Sequence, residues 1–304
     1  MPTARLRCQV TELWIYPVKS CAGVPLDAVE LRPQGLAHDR AWMVVDAEGE
    51  MLTQREWPQM ALIRPHLSGD TLVLQAPDQP TLTLPLAAPT EARRHTTVRV
   101  WDDAVPAWDM GEAASDWCTR CLQHSAPALA ARLPLPLRLV RFDETHRRRS
   151  SAAWSRGYEG LNRFSDGFAV LVLSRASLTE LNRRLQAQGE AAVDVRRFRP
   201  NLVLDGPDWA AHDEDRVGAL QIQTDGGGEA VLLPVKPCSR CPIPDIDPDD
   251  AQVRARVTPL LQQYRADPRV GGALTFGMNA LVLQGVGQVL RLGQTVSADW
   301  AFED

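Results

Sequence analysis

A chain of 304 residues, 44% hydrophobic and 23% charged with a net charge of -5, is long enough for two packed domains and too apolar to be disordered. That charge gives no global footprint for nucleic acid, no apolar run approaches the roughly 20 residues of a membrane helix, and the first eight residues lack the apolar centre of a signal peptide. The expectation is a soluble, cytoplasmic protein, with no membrane or nucleic-acid partner, whose six cysteines stay reduced.

From Gln9 to about Trp108 the chain is a series of short alternating runs, β-branched or aromatic, broken by turn residues. This reads as an antiparallel β domain of barrel or sandwich type. Strands are expected over 10–18, 28–31, 41–45, 71–74, 81–84 and 97–101, with turns at 46–49 and 76–80. The first helix is expected over 112–123, with Asp109 and Glu112 as a capping box and Trp117, Cys118, Cys121 and Leu122 on its apolar stripe. A Pro-, Ala- and Leu-rich connection leads to a strand over 137–142 and then to a long loop over 143–166 carrying Arg147-Arg148-Arg149, of a length that usually has a function. Next come a strand over 169–173, a helix capped by Ser177 and Glu180 and stopped by Gly189, and strands at 201–204 and 220–223. The hairpin signal Asp225-Gly-Gly-Gly228 introduces a strand over 230–235. A short helix near Pro259 and strands over 280–283 and 289–292 close the chain. The organisation expected is residues 1–125 as one β domain ending in a helix and 126–304 as a second.

The chemistry concentrates at Lys236-Pro-Cys-Ser-Arg-Cys241, directly after an apolar run. Lys236 and Arg240 bracket both sulfurs, and cationic neighbours favour the thiolate. The prolines at 237, 242 and 244 exclude a regular helix and leave an ordered loop able to aim a sulfur into a cleft. A second Cys-x-x-Cys pair, Cys118 and Cys121, raises a four-thiolate zinc site, but its place on a helical apolar stripe favours core packing. Further cations fall near strand ends: Lys19 beside Ser20, Arg40, and Arg196, Arg197 and Arg199 before Asn201. Converging on one point, they would suit a phosphorylated ligand; singly, each reads as a solvated surface residue. Neither dinucleotide nor Walker-type glycine motifs occur, nor a serine-hydrolase elbow, and the histidines are scattered.

Taken together, Trp14-Ile-Tyr-Pro-Val-Lys-Ser-Cys-Ala-Gly23, Gly35-Leu-Ala-His-Asp-Arg-Ala-Trp-Met43, Arg197-Phe-Arg-Pro-Asn201 and Lys236-Pro-Cys-Ser-Arg-Cys241 with Asp247-Pro248 resemble the MOSC proteins. The resemblance is to the branch with an N-terminal β-barrel that includes the mitochondrial amidoxime-reducing component and its bacterial relatives, and it spans nearly the whole chain. It implies a β-rich α+β fold: an N-terminal β-barrel-like domain packed on a C-terminal MOSC β-barrel with a few helices. It implies a molybdenum cofactor, a pterin dithiolene bearing a phosphate, with Cys241 as catalytic metal ligand and Cys238 as a neighbour of open role. Lys19, Ser20 and Arg40 match cofactor-holding residues, Arg199, Asn201, Ser239 and Arg240 match its pterin and phosphate contacts, and Ser165 and Asp166 fall near a further contacting stretch. The implied activity is reduction of N-hydroxylated compounds such as amidoximes, hydroxylamines and N-hydroxylated bases, with electrons from a separate protein, a ferredoxin or a b-type cytochrome with its reductase. A cofactor or sulfur carrier without turnover is the alternative, and the family is also associated with pyridoxal phosphate binding. Two features stand apart: Pro244-Asp245 replaces a threonine pair common in relatives and puts a charge where hydroxyl donors would be, and the basic loop at 147–149 reads first as a solvated loop, with a dock for an acidic redox partner as the alternative.

Overall fold

In strand Leu6–Ile15 the residues Leu6, Cys8 and Val10 are buried, the phase slips by one, and Leu13 and Ile15 are buried next. A β-bulge between Val10 and Glu12 accounts for the slip, since one extra residue is what returns side chains to the same face. The computed structural model to which this strand belongs describes residues 5–301 apart from 92–93, 128–130 and 132–133, so the Pro-, Ala- and Leu-rich connection lies partly outside the described residues. The strand pairs on one side with Leu202–Asp205 and on the other with Thr295–Trp300. The ring continues through Val217–Gln223, Glu229–Ser239 and Ala273–Gln284 to Val170–Ser174, which pairs back with Leu202–Asp205. These seven strands close a barrel, so no edge is left to template aggregation. Val10, Leu13, Leu202, Leu220, Ile222, Leu232, Ala280 and Val296, all essentially inaccessible, belong to its core.

Two smaller sheets and a helix make the other layer. Trp42–Val45, Arg138–Phe142, Asp103–Asp109 and His95–Val100 form a four-stranded sheet, and Arg64–Ser68, Thr71–Gln75 and Leu82–Pro85 a three-stranded one. Helix Glu112–Ser125 buries Trp117, Cys118, Cys121 and Leu122 in a core shared with Trp42, Trp57 and Leu72. The first cysteine pair is thus packing material, as its helical stripe suggested, and burial raises the thiol of Cys121 to about 11. The β-rich two-part fold matches the expectation, but strand pairing does not follow the chain order at residue 125. The first strand is built into the barrel, Arg138–Phe142 into the N-terminal sheet, and Val289–Arg291 pairs with Ala28–Arg32.

Local signals were displaced in specific ways. Asp109 accepts from the Gly111 N–H instead of capping Glu112, and Gly111, at φ 97°, stands at the helix start. The crossover helix Arg175–Ala187 is capped three residues earlier than Ser177, by Ser174, whose side chain accepts from the Ser177 N–H. Strand Glu229–Ser239 runs on through Pro237, with register shifts at 234–236 and 237–239 that accommodate prolines in a ladder. Thr295–Trp300, with no strong turn signal before it, went unseen, although it joins the first strand to Val217–Gln223.

His212 lies against Tyr264 and Phe276, its ring centroid 5.8 Å from each, and neither ring nitrogen has a hydrogen-bond partner. Burial, reinforced by Arg265, depresses its pKa from 6.5 to about 4. The unfolded chain therefore takes up the proton first as pH falls, so this stabilisation is complete above pH 6.5 and is lost towards pH 4. Urea unfolding is expected to show a wild-type loss about 2 kcal/mol greater than that of His212→Phe over this interval, a figure discounted for partial exposure.

Candidate functional site

Where the barrel meets the smaller sheets, eight short segments converge on a cleft of about 290 Å³. Lys19, Ser20, Arg40, Ser165, Asp166, Arg199, Asn201, Ser239, Arg240 and Cys241, singled out in the sequence, all line it. Thr53, Arg55, Trp101, Phe168, Leu171, Lys236, Cys238 and Asn279 complete much of the wall. Its cations are Lys19, Arg40, Arg55, Arg197, Arg199, Lys236 and Arg240, against the single carboxylate of Asp166. Such a wall favours an anion, and the anion in turn lowers the cost of bringing the cations together.

Tyr16 organises the two largest contributors. Its ring is inaccessible and lies between two guanidiniums, Arg40 at 4.4 Å and Arg199 at 4.2 Å from the ring centre. The π faces offset the repulsion between like charges that the fold holds apart by one ring. Arg40 also donates to both Asp39 oxygens, to Asn201 Oδ1 at 3.2 Å and to the Arg199 carbonyl at 3.1 Å. Asn201 spends its amide on the framework, accepting from the Leu171 N–H and donating to the Trp14 carbonyl. Burial first, then Arg40, lowers the Arg199 pKa to about 10, leaving it cationic at neutral pH.

Lys19 is 6% exposed and donates to Asp166 Oδ1 at 2.6 Å and to the Phe164 carbonyl at 2.8 Å. Burial lowers its pKa and Asp166 opposes that fall. Arg240 donates to the carbonyls of Phe276 and Phe198, which fixes the turn between the two cysteines and leaves part of its fork open. The cations do not lower the Cys238 thiol: burial outweighs Arg240 and raises its pKa. The hydroxyls of Ser20, Ser165 and Ser239 make no hydrogen bond to protein among the described residues, so three donors face the cleft unspent. Two thiols, three hydroxyls and a cationic wall fit a sulfur-ligated, phosphorylated group.

Backbone strain marks the same place. Ser20 (φ 65°), Arg40 (47°), Trp101 (55°) and Arg199 (56°) all lie in the left-handed region, at roughly 1–3 kcal/mol each. Side chains this large persist there only when surrounding contacts hold them.

Three sequence readings change. Asp245 does not charge the cleft: it is 3% exposed and accepts from the N–H groups of Arg256, Val257 and Thr258, capping helix Val257–Gln262 from outside it. The basic loop is not a free patch: Arg148 is 6% exposed and bonds Asp103, Asn162 and the carbonyls of Arg163 and Ser165, while Arg147 and Arg149 pair with Glu159. Arg196 and Arg197 are neutralised by Asp194, Asp249 and Asp247. Among the described residues no group of three or more His, Cys, Asp or Glu side chains could hold a metal, so the four-thiolate zinc arrangement does not form. Arg55 and Trp101 carry no sequence signal of their own: Trp101 closes the alternating run over 97–101, and the turn it makes into strand Asp103–Asp109 shows only in the structure.

Two family models match the chain. The MOSC N-terminal beta barrel domain matches residues 7–125 and the MOSC domain residues 159–297. The chain is similar to mitochondrial amidoxime-reducing component 1 of Homo sapiens, 37% identical over 281 residues, covering 88% of this chain and 77% of that protein. It is similar to mitochondrial amidoxime reducing component 2 of Bos taurus at 33% identity, covering 88% and 76%. With molybdenum cofactor sulfurase of Homo sapiens it shares 27% identity over 84% of its own length and 28% of the other.

The Tyr16 hydroxyl is buried without a partner. Tyr16→Phe is therefore expected to leave unfolding free energy unchanged or raise it by up to about 1 kcal/mol, whereas Tyr16→Leu, which removes the ring between the guanidiniums, costs about 2–4 kcal/mol in urea denaturation.

Proposed function

We propose, from the premise that this chain belongs to the family of MOSC proteins with an N-terminal MOSC β-barrel, that it is a molybdenum-cofactor-dependent reductase of N-hydroxylated compounds. The observation that carries this reading is the convergence of eight motif residues from both halves of the chain, Cys241 among them, on one cationic cleft that Ser165 and Asp166 also line. The resemblance of the names alone would leave open whether the residues meet; their meeting supports a shared ligand.

In this reading Cys241 is the thiolate ligand of the metal, and Arg199, Ser239 and Arg240 hold the pterin and its phosphate. Ser20 and Ser165 add hydroxyl donors. Arg40 and Asn201 line the same cleft as cofactor contacts and also keep Arg199 aimed, Arg40 by bonding its carbonyl and Asn201 by bonding the neighbouring strand. When bound, the cofactor supplies two-electron chemistry, reducing the N–OH group to N–H with release of water. Lys19, held against Asp166 and destabilised as an ammonium by burial, is the acid we assign to delivering a proton at the cleft. Amidoximes, hydroxylamines and N-hydroxylated bases are the substrates, and a separate redox protein, a ferredoxin or a b-type cytochrome, is the electron source.

No helix of the described residues is long and apolar enough to cross a membrane. All six cysteines are free, as a reducing compartment would keep them, and we place the protein in the cytoplasm.

Elemental analysis of the purified protein is expected to give stoichiometric molybdenum, and Cys241→Ser to lose reductase activity by more than about 100-fold. Full activity with bound molybdenum in that variant would sink the assignment. Molybdenum bound without turnover under any electron donor points to the carrier alternative, and zinc without molybdenum to neither.

A further inference from the structure

Trp101 breaks a local rule at the cleft. It and Asp102 form the two-residue turn between strands His95–Val100 and Asp103–Asp109, and its φ is 55°, at a position where glycine or asparagine is the usual occupant. The bulkiest side chain in the repertoire stands there instead, 37% exposed and on the wall of the cleft. Three other residues of that wall, Ser20, Arg40 and Arg199, share the left-handed backbone and match cofactor-holding positions. Trp101 matches none.

Its surroundings fix the ring in place. The indole Nε1 donates to Asp166 Oδ1 at 3.1 Å, the same oxygen that holds Lys19, and the Lys19 ammonium lies 5.9 Å from the ring centre. The Arg55 guanidinium lies at 4.5 Å over the ring. Arg55 is exposed, and its side chain makes no hydrogen bond among the described residues. Displacing it costs one solvent-exposed cation–π contact and part of its attraction to the Asp166 carboxylate, and a planar molecule of similar thickness can take its place on the indole face.

We propose that Trp101 is a specificity residue: its ring is the stacking surface for planar N-hydroxylated substrates such as aryl amidoximes and N-hydroxylated bases, and Arg55 is the displaceable cover of that surface. The proposal rests on the reductase reading above. Stacking is indifferent to ring substituents, so it gives breadth over planar compounds, and it offers nothing to hydroxylamine, which has no face. The bond from the indole to Asp166 brings the stacked substrate beside Lys19.

The test uses the cofactor-loaded protein and benzamidoxime with the electron donor omitted, so that binding is read by calorimetry without turnover. Trp101→Ala is expected to weaken binding about tenfold and Trp101→Phe, which keeps a stacking face, by no more than about threefold. With donor present, the KM for benzamidoxime rises about tenfold in Trp101→Ala while kcat changes by less than about threefold, and selectivity for benzamidoxime over hydroxylamine falls in proportion. Should Trp101→Ala fold poorly, Trp101→Gly, which relieves the positive φ, makes the same comparison. Unchanged calorimetric affinity in the variant lacking a ring, equal losses in Ala and Phe, parallel KM rises for both substrates, or no binding heat in the wild type each overturn the proposal. Wild-type protein that binds benzamidoxime but reduces no N-hydroxylated compound defeats the reductase reading alone, because the calorimetric comparison still decides the role of the ring.

Discussion

The stack of Arg40, Tyr16 and Arg199 is the contact on which the site depends. Two guanidiniums brought to one cleft repel each other, and an aromatic ring between them turns that repulsion into two attractions. The same unit is pinned at both ends. Asp39, 1% exposed, pairs with Arg40 and accepts from the Tyr16 N–H, while Asn201 links Arg40 to the backbone of the barrel. A buried carboxylate tolerates this place only because Arg40 is beside it, so the ion pair, the stack and the strained φ values of Arg40 and Arg199 hold or fail together.

Electrostatics and strain then tell one story. Arg196 and Arg197 are tied to carboxylates, Arg148 to carbonyls and to Asp103, and these cations serve the framework. Among the described residues Arg55 and Lys236 form no ion pair, Arg55 feeling Asp166 only at longer range, and Arg199 bonds the Cys21 carbonyl and stacks on the Tyr16 ring. Cations without a carboxylate ion pair are thus gathered at the cleft, where a ligand's anionic groups would answer them. Asp245 illustrates the opposite allocation: a carboxylate beside the cysteine motif is withdrawn into capping a helix, and the cleft keeps its sign.

Much of the fold was legible. Alternation located strands 28–32, 42–45, 71–75 and 217–223 to within a few residues, and a 3.6 period located the helix carrying Cys118 and Cys121. The prolines after Val235 misled, truncating the strand through Pro237, because a proline in a ladder is tolerated at a register shift that sequence does not reveal. Of the site, the motif residues were legible by type and order. Trp101 was not, since an aromatic in a turn signals function only once the turn's left-handed geometry is known.

The sequence by itself determined the type and order of the motif residues, that the chain is β-rich in two parts, and that Cys118 and Cys121 pack in a core, because periodicity and motif order are properties of the one-dimensional chain. Only the tertiary structure decided partners. It put Leu6–Ile15 into a barrel with strands from the other end of the chain, brought Lys19 and Arg40 to within one cleft of Arg199 and Cys241, and separated free cations from compensated ones. Strand pairing, burial and net local charge depend on residues far apart in sequence, and no local pattern encodes which of them will meet.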